Sequence, residues 1–369
     1  MITLCLPTKD RPAFLSRLLH YYASTNYQHW ICIGDSSGPD QAAQNQQIVA
    51  SLQDRLKISY TACPGQTACA AIETISRAIS TPYFACIADD DFLCTRGLER
   101  CAAFLDAHPA YGAAHGLGIL LMIGAAGPHG PVVAITPYQQ AVLEAQTGSQ
   151  RLQEYMNPSP LTVIFSVHRT AHCRAMFEVV TSLKGSKRNL FKDELIPSGV
   201  AAIRGKVKEL DGLYLVRHVH DEIVRQPSVY EWLTSPDWFP SFEVYREHLI
   251  EELKRQDGLS ADEAAQVITQ AFLPYLAEGL AVSWIKYRGA QSSRANGSAT
   301  ALFRQAARRI PGLRRLKQRV RAMRALRSRD AWGLPALLNP GSPYHEDFLP
   351  VYRAITVAPA ERVEEAVAA

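Results

Sequence analysis

Ala85-Cys86-Ile87-Ala88-Asp89-Asp90-Asp91-Phe92 is an apolar run that passes directly into three carboxylates. Tyr83 to Ala88 reads as a buried strand, and the acids follow at its carboxyl end. Three adjacent acids repel one another, and a divalent cation would offset the repulsion. Mg²⁺ or Mn²⁺ takes carboxylate oxygens and completes its shell with diphosphate oxygens. Asp89-x-Asp91 is therefore expected to hold a metal that grips a nucleotide diphosphate. A turn or helix cap, which Asp also favours, is the plainer alternative.

Upstream, strand-like and helix-like patterns alternate. Ile2 to Leu6, Trp30 to Ile33 and Lys57 to Thr61 are short apolar runs. Between them lie Ala13 to Tyr22, with apolar residues at helical spacing behind Pro12, and Gln41 to Leu52; Thr67 to Ile79 is an Ala-rich helix before the fourth strand. The order implies βαβ units and a mostly parallel sheet. Ligands bind such sheets beyond the strands' carboxyl ends. Thr8 to Arg11, Asp35 and the acidic triplet collect there.

Downstream the pattern is mixed to about residue 215. Helices are expected at Gly97 to Leu105, Arg169 to Val180 and Leu195 to Arg204. Strands are expected within Ala113 to Ile123, Leu161 to Val167 and Leu213 to Arg217, with a polar helix or loop near Gln139 to Tyr155. From about Pro227 long helices take over: Phe242 to Gln256, Ser260 to Gly279 and Ala299 to Arg329. The expected division is 1–225 as an α/β domain, 226–357 as a helical C-terminal region and 358–369 as a flexible tail.

Composition narrows the class. The 369 residues carry a net charge of +4, but Arg294 to Arg329 holds twelve Lys or Arg and no acid. The eight cysteines include no Cys-x-x-Cys pair and read as reduced core thiols. The most apolar stretch, Gly116 to Gly127, is shorter than the roughly 20 residues a membrane span needs. No signal peptide is read ahead of the first strand. The expected location is cytoplasmic, including the inner face of a membrane.

The order Leu6-Pro7-Thr8-Lys9-Asp10-Arg11, Ile33-Gly34-Asp35-Ser36-Ser37 and Ile87-Ala88-Asp89-Asp90-Asp91 resembles the GT-A glycosyltransferases, family 2 in particular. The resemblance covers residues 1 to about 220. It implies a GT-A-like, Rossmann-related sheet and transfer of a sugar from a nucleotide diphosphate-sugar to an acceptor hydroxyl, with inversion. Pro7, Thr8 and Arg11 would line the nucleotide pocket. Asp35 would accept a hydrogen bond from the base, Asp89 would contact ribose or metal, and Asp91 would bind Mn²⁺ or Mg²⁺. Asp90 is open, because a triplet allows two registers. Where relatives carry an Asn-x-Gly-like stretch this chain has Pro64-Gly65-Gln66-Thr67, which puts Gln66 toward the nucleotide.

Asp193-Glu194 opens a helix. A first helical turn favours acids on its own account, but an inverting transfer needs a carboxylate base. Asp193 is the first choice and Glu194 the second. His218-x-His220 on a strand end sends both rings to one side. His220 would complete the metal shell or touch diphosphate, and Arg217 would neutralise the leaving group; a pair of surface histidines is the alternative. His115, His168 and His172 read as structural. Arg151, Lys184, Lys187 and Arg188 lie in polar stretches, and a loop near Gly185 would close over the donor.

Ile310, Leu313, Leu316, Val320, Met323 and Leu326 mark an amphipathic helix with a cationic face. It would either pack on the protein or lie on an anionic membrane, which suits a glycan or lipid-linked acceptor in cell-envelope or surface polysaccharide synthesis. Nucleic acid is not expected, since no aromatics interleave with the charges. Two other functions stay open. One is a nucleotidyltransferase, although the loop after the first strand lacks glycine. The other is a non-catalytic, membrane-peripheral scaffold that keeps the fold.

Overall fold

A computed structural model describes residues 1–157, 160–180, 183, 189–220, 227–295 and 333–357. The basic stretch Ala299 to Arg329, the tail 358–369 and the Lys184 to Arg188 loop lie outside the described residues.

The first third folds as its patterns predict. Strands β1 (Ile2–Thr8), β2 (Trp30–Asp35), β3 (Lys57–Ala62) and β4 (Tyr83–Cys86) pair in parallel in the order β3-β2-β1-β4. Between them run helices α1 (Pro12–Ser24), α2 (Pro39–Ala50) and α3 (Ala68–Ser76). Pro12 opens α1, where its missing N–H costs nothing. Thr67 caps α3 by accepting from the Ala70 N–H. The register sets Thr8 opposite Asp35 and Asp35 opposite Ala62, so the carboxyl ends form one edge.

The other half is mixed. Helix α4 (Thr95–Ala107) follows the two-residue β5 (Phe92–Leu93), and long β6 (Tyr111–Ile123) and β7 (Val132–Tyr138) form an antiparallel pair. After α5 (Gly148–Met156) come β8 (Val167–Arg169), α6 (Thr170–Phe177), a π-helical turn at Phe191–Leu195, α7 (Ile196–Arg204) and β9 (Lys206–Val219). β6 and β9 are parallel, whereas β4–β8, β6–β8 and β5–β9 are antiparallel. The sheet is thus parallel in its first half and mixed beyond β4. β6 and β9 approach closely where they start: a Cβ on Gly205 would stand 2.5 Å from the Gly112 Cα.

Three expectations need correction. The apolar Leu161 to Val167 is mostly irregular, with a short turn closed by the Ser166 N–H to the Val163 carbonyl, and the strand begins at Val167. The strand expected at Leu213 to Arg217 spans all of β9, because its polar first half pairs with β6. Arg151, expected in a polar stretch, is buried and donates to the Ala202 and Ile203 carbonyls, satisfying the end of α7.

Helices α8 (Val229–Leu233), α9 (Trp238–Asp257), α10 (Ala261–Ala295), α11 (Leu334–Leu338) and α12 (His345–Thr356) complete the chain. Residue 225 separates element types but not hydrophobic cores. Trp232, Tyr245 and Phe272 pack in one cluster with Phe191, Met156 and Cys86. Phe348, Val351 and Ile355 of α12 join Leu15, Leu18 and Leu215 in the other. Arg100 holds α12 through Asp347 at 2.8 Å. All eight cysteines are free and buried. Among the described residues no helix is long and apolar enough to cross a membrane.

Phe348→Ala is expected to cost about 3–5 kcal/mol in urea unfolding, the usual penalty for emptying a buried aromatic site. An unchanged midpoint would mean that α12 is not part of the core.

Candidate functional site

The strand edge gathers a cluster of opposite charges. Asp89 is fully buried and accepts from the Thr8 hydroxyl at 2.7 Å and from Arg11. Arg11 also reaches Asp90 at 2.8 Å, so one guanidinium spans two neighbouring carboxylates. Asp91 accepts from Arg217 Nε at 2.9 Å and from the His218 backbone N–H at 3.0 Å. The short β5–β9 pairing makes this contact, because Phe92 registers with Val216 and carries Asp91 to the end of β9. His220, just past β9, places Nε2 at 2.8 Å from Asp90 Oδ2.

A third arginine lies beneath the triplet. Arg17 of α1 donates to the Asp90 carbonyl at 2.6 Å, the Pro128 carbonyl at 2.7 Å and His218 Nδ1 at 3.1 Å. Its guanidinium stacks over Phe14 and Phe92. The contact fixes Nδ1 of His218 as an acceptor, and its buried Nε2 has no hydrogen-bond partner among the described residues. Burial, then the charge of Arg17, lowers the His218 pKa to about 3, which keeps that ring neutral. The rings of His218 and His220 lie on the same side, 5.2 Å apart.

The three acids are not equivalent. Burial pushes Asp89 up to about 7, with Arg11 opposing. Burial raises Asp91 as well, against the pull of Arg217. Burial also resists charge on Asp90, but the His220 hydrogen bond and the charge of Arg11 outweigh it and hold that carboxyl well below its ordinary value. Asp90 is the only one of the three that is not fully buried.

The remaining expected residues occupy the same edge. Pro7 registers with Gly34. Asp35 accepts from the Ser37 N–H at 2.8 Å, Asn45 Nδ2 at 2.8 Å and the Tyr60 hydroxyl at 2.6 Å. Burial opposes its charge, and these bonds outweigh burial to hold it below its ordinary value. Oδ2 thus takes two of these bonds and Oδ1 one, which leaves Oδ1 capacity for a further donor. Asp10 adopts a left-handed φ of 55° and accepts from the Gly38 N–H, joining the loops after β1 and β2. Gln66 turns its side-chain oxygen to the Thr74 hydroxyl at 3.0 Å.

Asp193 and Glu194 sit in the π-helical turn before α7, an element that often marks functional sites. Asp193 turns back to its own segment and accepts from the Asn189 N–H at 3.2 Å. Glu194 has no hydrogen-bond partner among the described residues. Burial raises its pKa, Arg217 opposes, and Asp193 adds to the rise. Arg217 donates to Asp91 and to the Tyr138 hydroxyl at 3.2 Å, and its charge also reaches Glu194.

Among the described residues no group of three or more His, Cys, Asp or Glu comes together as a cation cage. Arginines bond all three acids, and Asp90 Oδ2, which accepts from Arg11, also has His220 Nε2 beside it. Two cis ligands of an octahedral ion with bonds of about 2.1 Å lie about 3 Å apart. The spacing of Asp90 and His220 suits two ligands of such an ion.

No family model matches the chain, and no curated protein matches it. Solved structures do. S. aureus TarS 1–349 in complex with UDP-GlcNAc is similar over 78% of this chain and 79% of its own, at 16% identity and a TM-score of 0.46. Mannosyltransferase PcManGT from Pyrobaculum calidifontis, in complex with GDP-Man and Mn²⁺, is similar over 89% and 87%, at 12% identity and 0.41. GalNAc-T7 with UDP, GalNAc and Mn²⁺ is similar over 77% of this chain and 58% of its own, at 9% identity and 0.46.

Arg217→Met would leave Asp91 buried without its cation and is expected to cost roughly 3 kcal/mol in urea unfolding. Adding Asp91→Asn, which keeps an acceptor for the His218 N–H, should recover at least half of that. A double variant as unstable as the sum of the single ones would contradict the pairing.

Proposed function

We propose that this chain is a glycosyltransferase that moves a sugar from a nucleotide diphosphate donor to an acceptor hydroxyl, with inversion. The observation that carries the reading is the assembly at one sheet edge of Asp90, His220 and the arginines 11, 17 and 217, with Glu194, which has no hydrogen-bond partner among the described residues, within reach of the charge of Arg217. Pro7, Thr8, Asp35 with Tyr60, and Gln66 would form the floor of the nucleotide pocket. Asp90 and His220 would hold Mn²⁺ or Mg²⁺, with Asp89 and Asp91 keeping the arginines in place around it. Bound there, the cation would supply positive charge to the departing diphosphate. Arg11 and Arg217 are aimed at the same region and would add fixed charge where it develops.

Glu194 is the preferred base in place of Asp193. A base must be free to accept a proton and must lie within reach of the reacting centre. Asp193 is engaged by its own turn, whereas Glu194 faces the arginine that binds the triplet. Its raised pKa brings it nearer to working pH and strengthens it as a proton acceptor. The acceptor is proposed to be a glycan or lipid-linked hydroxyl at an anionic membrane surface, as in cell-envelope polysaccharide synthesis.

A second reading has one observation in its favour. Asp89 and Asp91 are already neutralised by arginines, as they would be in a scaffold that keeps the fold without the chemistry. Turnover separates the two. Release of nucleoside diphosphate is measured across UDP-, GDP- and TDP-sugars with Mn²⁺. One donor is expected to turn over, Glu194→Gln should lower the rate about 10²–10⁴-fold, and Asp193→Asn should stay within a few-fold. Because Glu194 must be ionised to act and its pKa is raised, the acid limb of the rate profile should lie above the ordinary glutamate range. No turnover with any donor would favour the scaffold.

A further inference from the structure

Arg217 is held by more than the carboxylate it neutralises. Its guanidinium carbon lies 5.1 Å from the centre of the Tyr138 ring and 4.9 Å from that of Phe165. Nε donates to Asp91 and Nη1 to the Tyr138 hydroxyl, while Nη2 makes no hydrogen bond among the described residues. The side chain is still 34% exposed. Arginine combines a flat face that stacks on aromatic rings with a fork of donors along its edge. Here two rings contact the face, and Asp91 and Tyr138 take part of the edge. Nη2 is the part of the edge that remains for an anion.

The fold goes to some length to bring both rings there. Tyr138 ends β7 and registers with Gly118 of β6, which registers in turn with Leu215 of β9. A Cβ on Gly118 would stand 2.9 Å from the Tyr138 carbonyl oxygen and 3.1 Å from its ring, so glycine is what lets Tyr138 pack this closely over β6. Phe165 lies in the irregular segment before β8, and its carbonyl accepts from the buried Tyr214 hydroxyl at 2.6 Å. Tyr214 belongs to β9, so the strand that carries Arg217 also fixes the backbone of the ring that packs on it. A long side chain loses rotamer freedom when it binds a ligand, and holding it beforehand removes that cost.

We infer that Tyr138 and Phe165 are positioning residues that clamp Arg217 so that Nη2 meets the second phosphate of a nucleoside diphosphate. The inference rests on the diphosphate-site reading above and adds two residues to it. The nucleoside end of that site lies along β1 to β3, whereas Arg217 reaches the triplet from β9 on the far side of β4. The phosphate it meets is therefore the one farther from the base, and a monophosphate would fall short of it.

The test is calorimetric titration of the full-length protein with the pairs UMP and UDP, GMP and GDP, and TMP and TDP, in the presence of Mn²⁺. For the pair that binds, the wild type should favour the diphosphate. Tyr138→Phe/Phe165→Leu is expected to reduce that preference about tenfold, with monophosphate affinity held within about twofold. Added to Arg217→Met/Asp91→Asn, the same two substitutions should change the preference no further, because they act through the arginine. Should the double variant melt several degrees lower, Tyr138→Phe, which keeps the ring, replaces it and should still reduce the preference severalfold. An unchanged preference overturns the clamp and leaves the nucleotide site standing. Equal weakening of monophosphate and diphosphate overturns it as well, since the rings would then serve the fold alone. A wild type that binds no nucleotide overturns the diphosphate-site reading and the clamp with it.

Discussion

Three neighbouring carboxylates cannot be withdrawn from water without compensating charge, and the cluster of Asp89, Asp90 and Asp91 governs how the rest of the molecule is arranged. Arg11 comes from the loop after β1, Arg17 from inside α1 and Arg217 from the end of β9. Each needs its own element to be in place, so the triplet ties the parallel half of the sheet to the mixed half. Removing a single partner would leave an unpaired charge in a buried site, which is far more costly than the net worth of a pair.

The topology follows from that requirement. Parallel β1, β2 and β4 bring Thr8, Asp35 and the triplet to one edge, and α1 delivers Arg17 to its underside. The brief β5–β9 pairing brings Arg217, His218 and His220 to the other side of the same acids. Only Asp90 retains exposure, and it faces His220. The π-helical turn adds Glu194 from the helical layer, whose Phe191 and Trp232 share one core cluster with Cys5 and Cys86 of the sheet. Donor, cation and base would thus be held by elements far apart in sequence and rigid relative to one another.

Much of the parallel half was legible in the sequence, because βαβ units write alternating apolar runs and helical spacing, and their polar residues collect at strand ends. Pro7, Thr8, Arg11, Asp35 and the triplet meet where that logic puts them. Less was legible in the mixed half. β5 is two residues long and β7 is an apolar run interrupted by Pro137 without alternation, so neither leaves a clear periodic signal. Arg17 left no mark because an arginine within a helix ordinarily reads as solvated, and its burial depends on Phe14, Phe92 and a carbonyl at Pro128. Tyr60 and Asn45, which donate to Asp35, become neighbours only when β2 and β3 register and α2 folds back. The ranking of Asp193 over Glu194 could not be settled by spacing, since a π-helical turn redirects adjacent side chains in a way that helical periodicity does not anticipate.

The central claim is that this charge cluster is a nucleotide diphosphate site completed by a divalent cation. Thermal melting of the wild type and Asp90→Ala, against UDP, GDP and TDP with and without Mn²⁺, tests it most directly, because a ligand that binds only the folded state raises the midpoint by mass action. One nucleotide should stabilise the wild type, more strongly with Mn²⁺, and the Mn²⁺-dependent part should vanish in Asp90→Ala. No stabilisation by any of them at millimolar concentration, or a metal-dependent shift that survives in Asp90→Ala, would contradict the account.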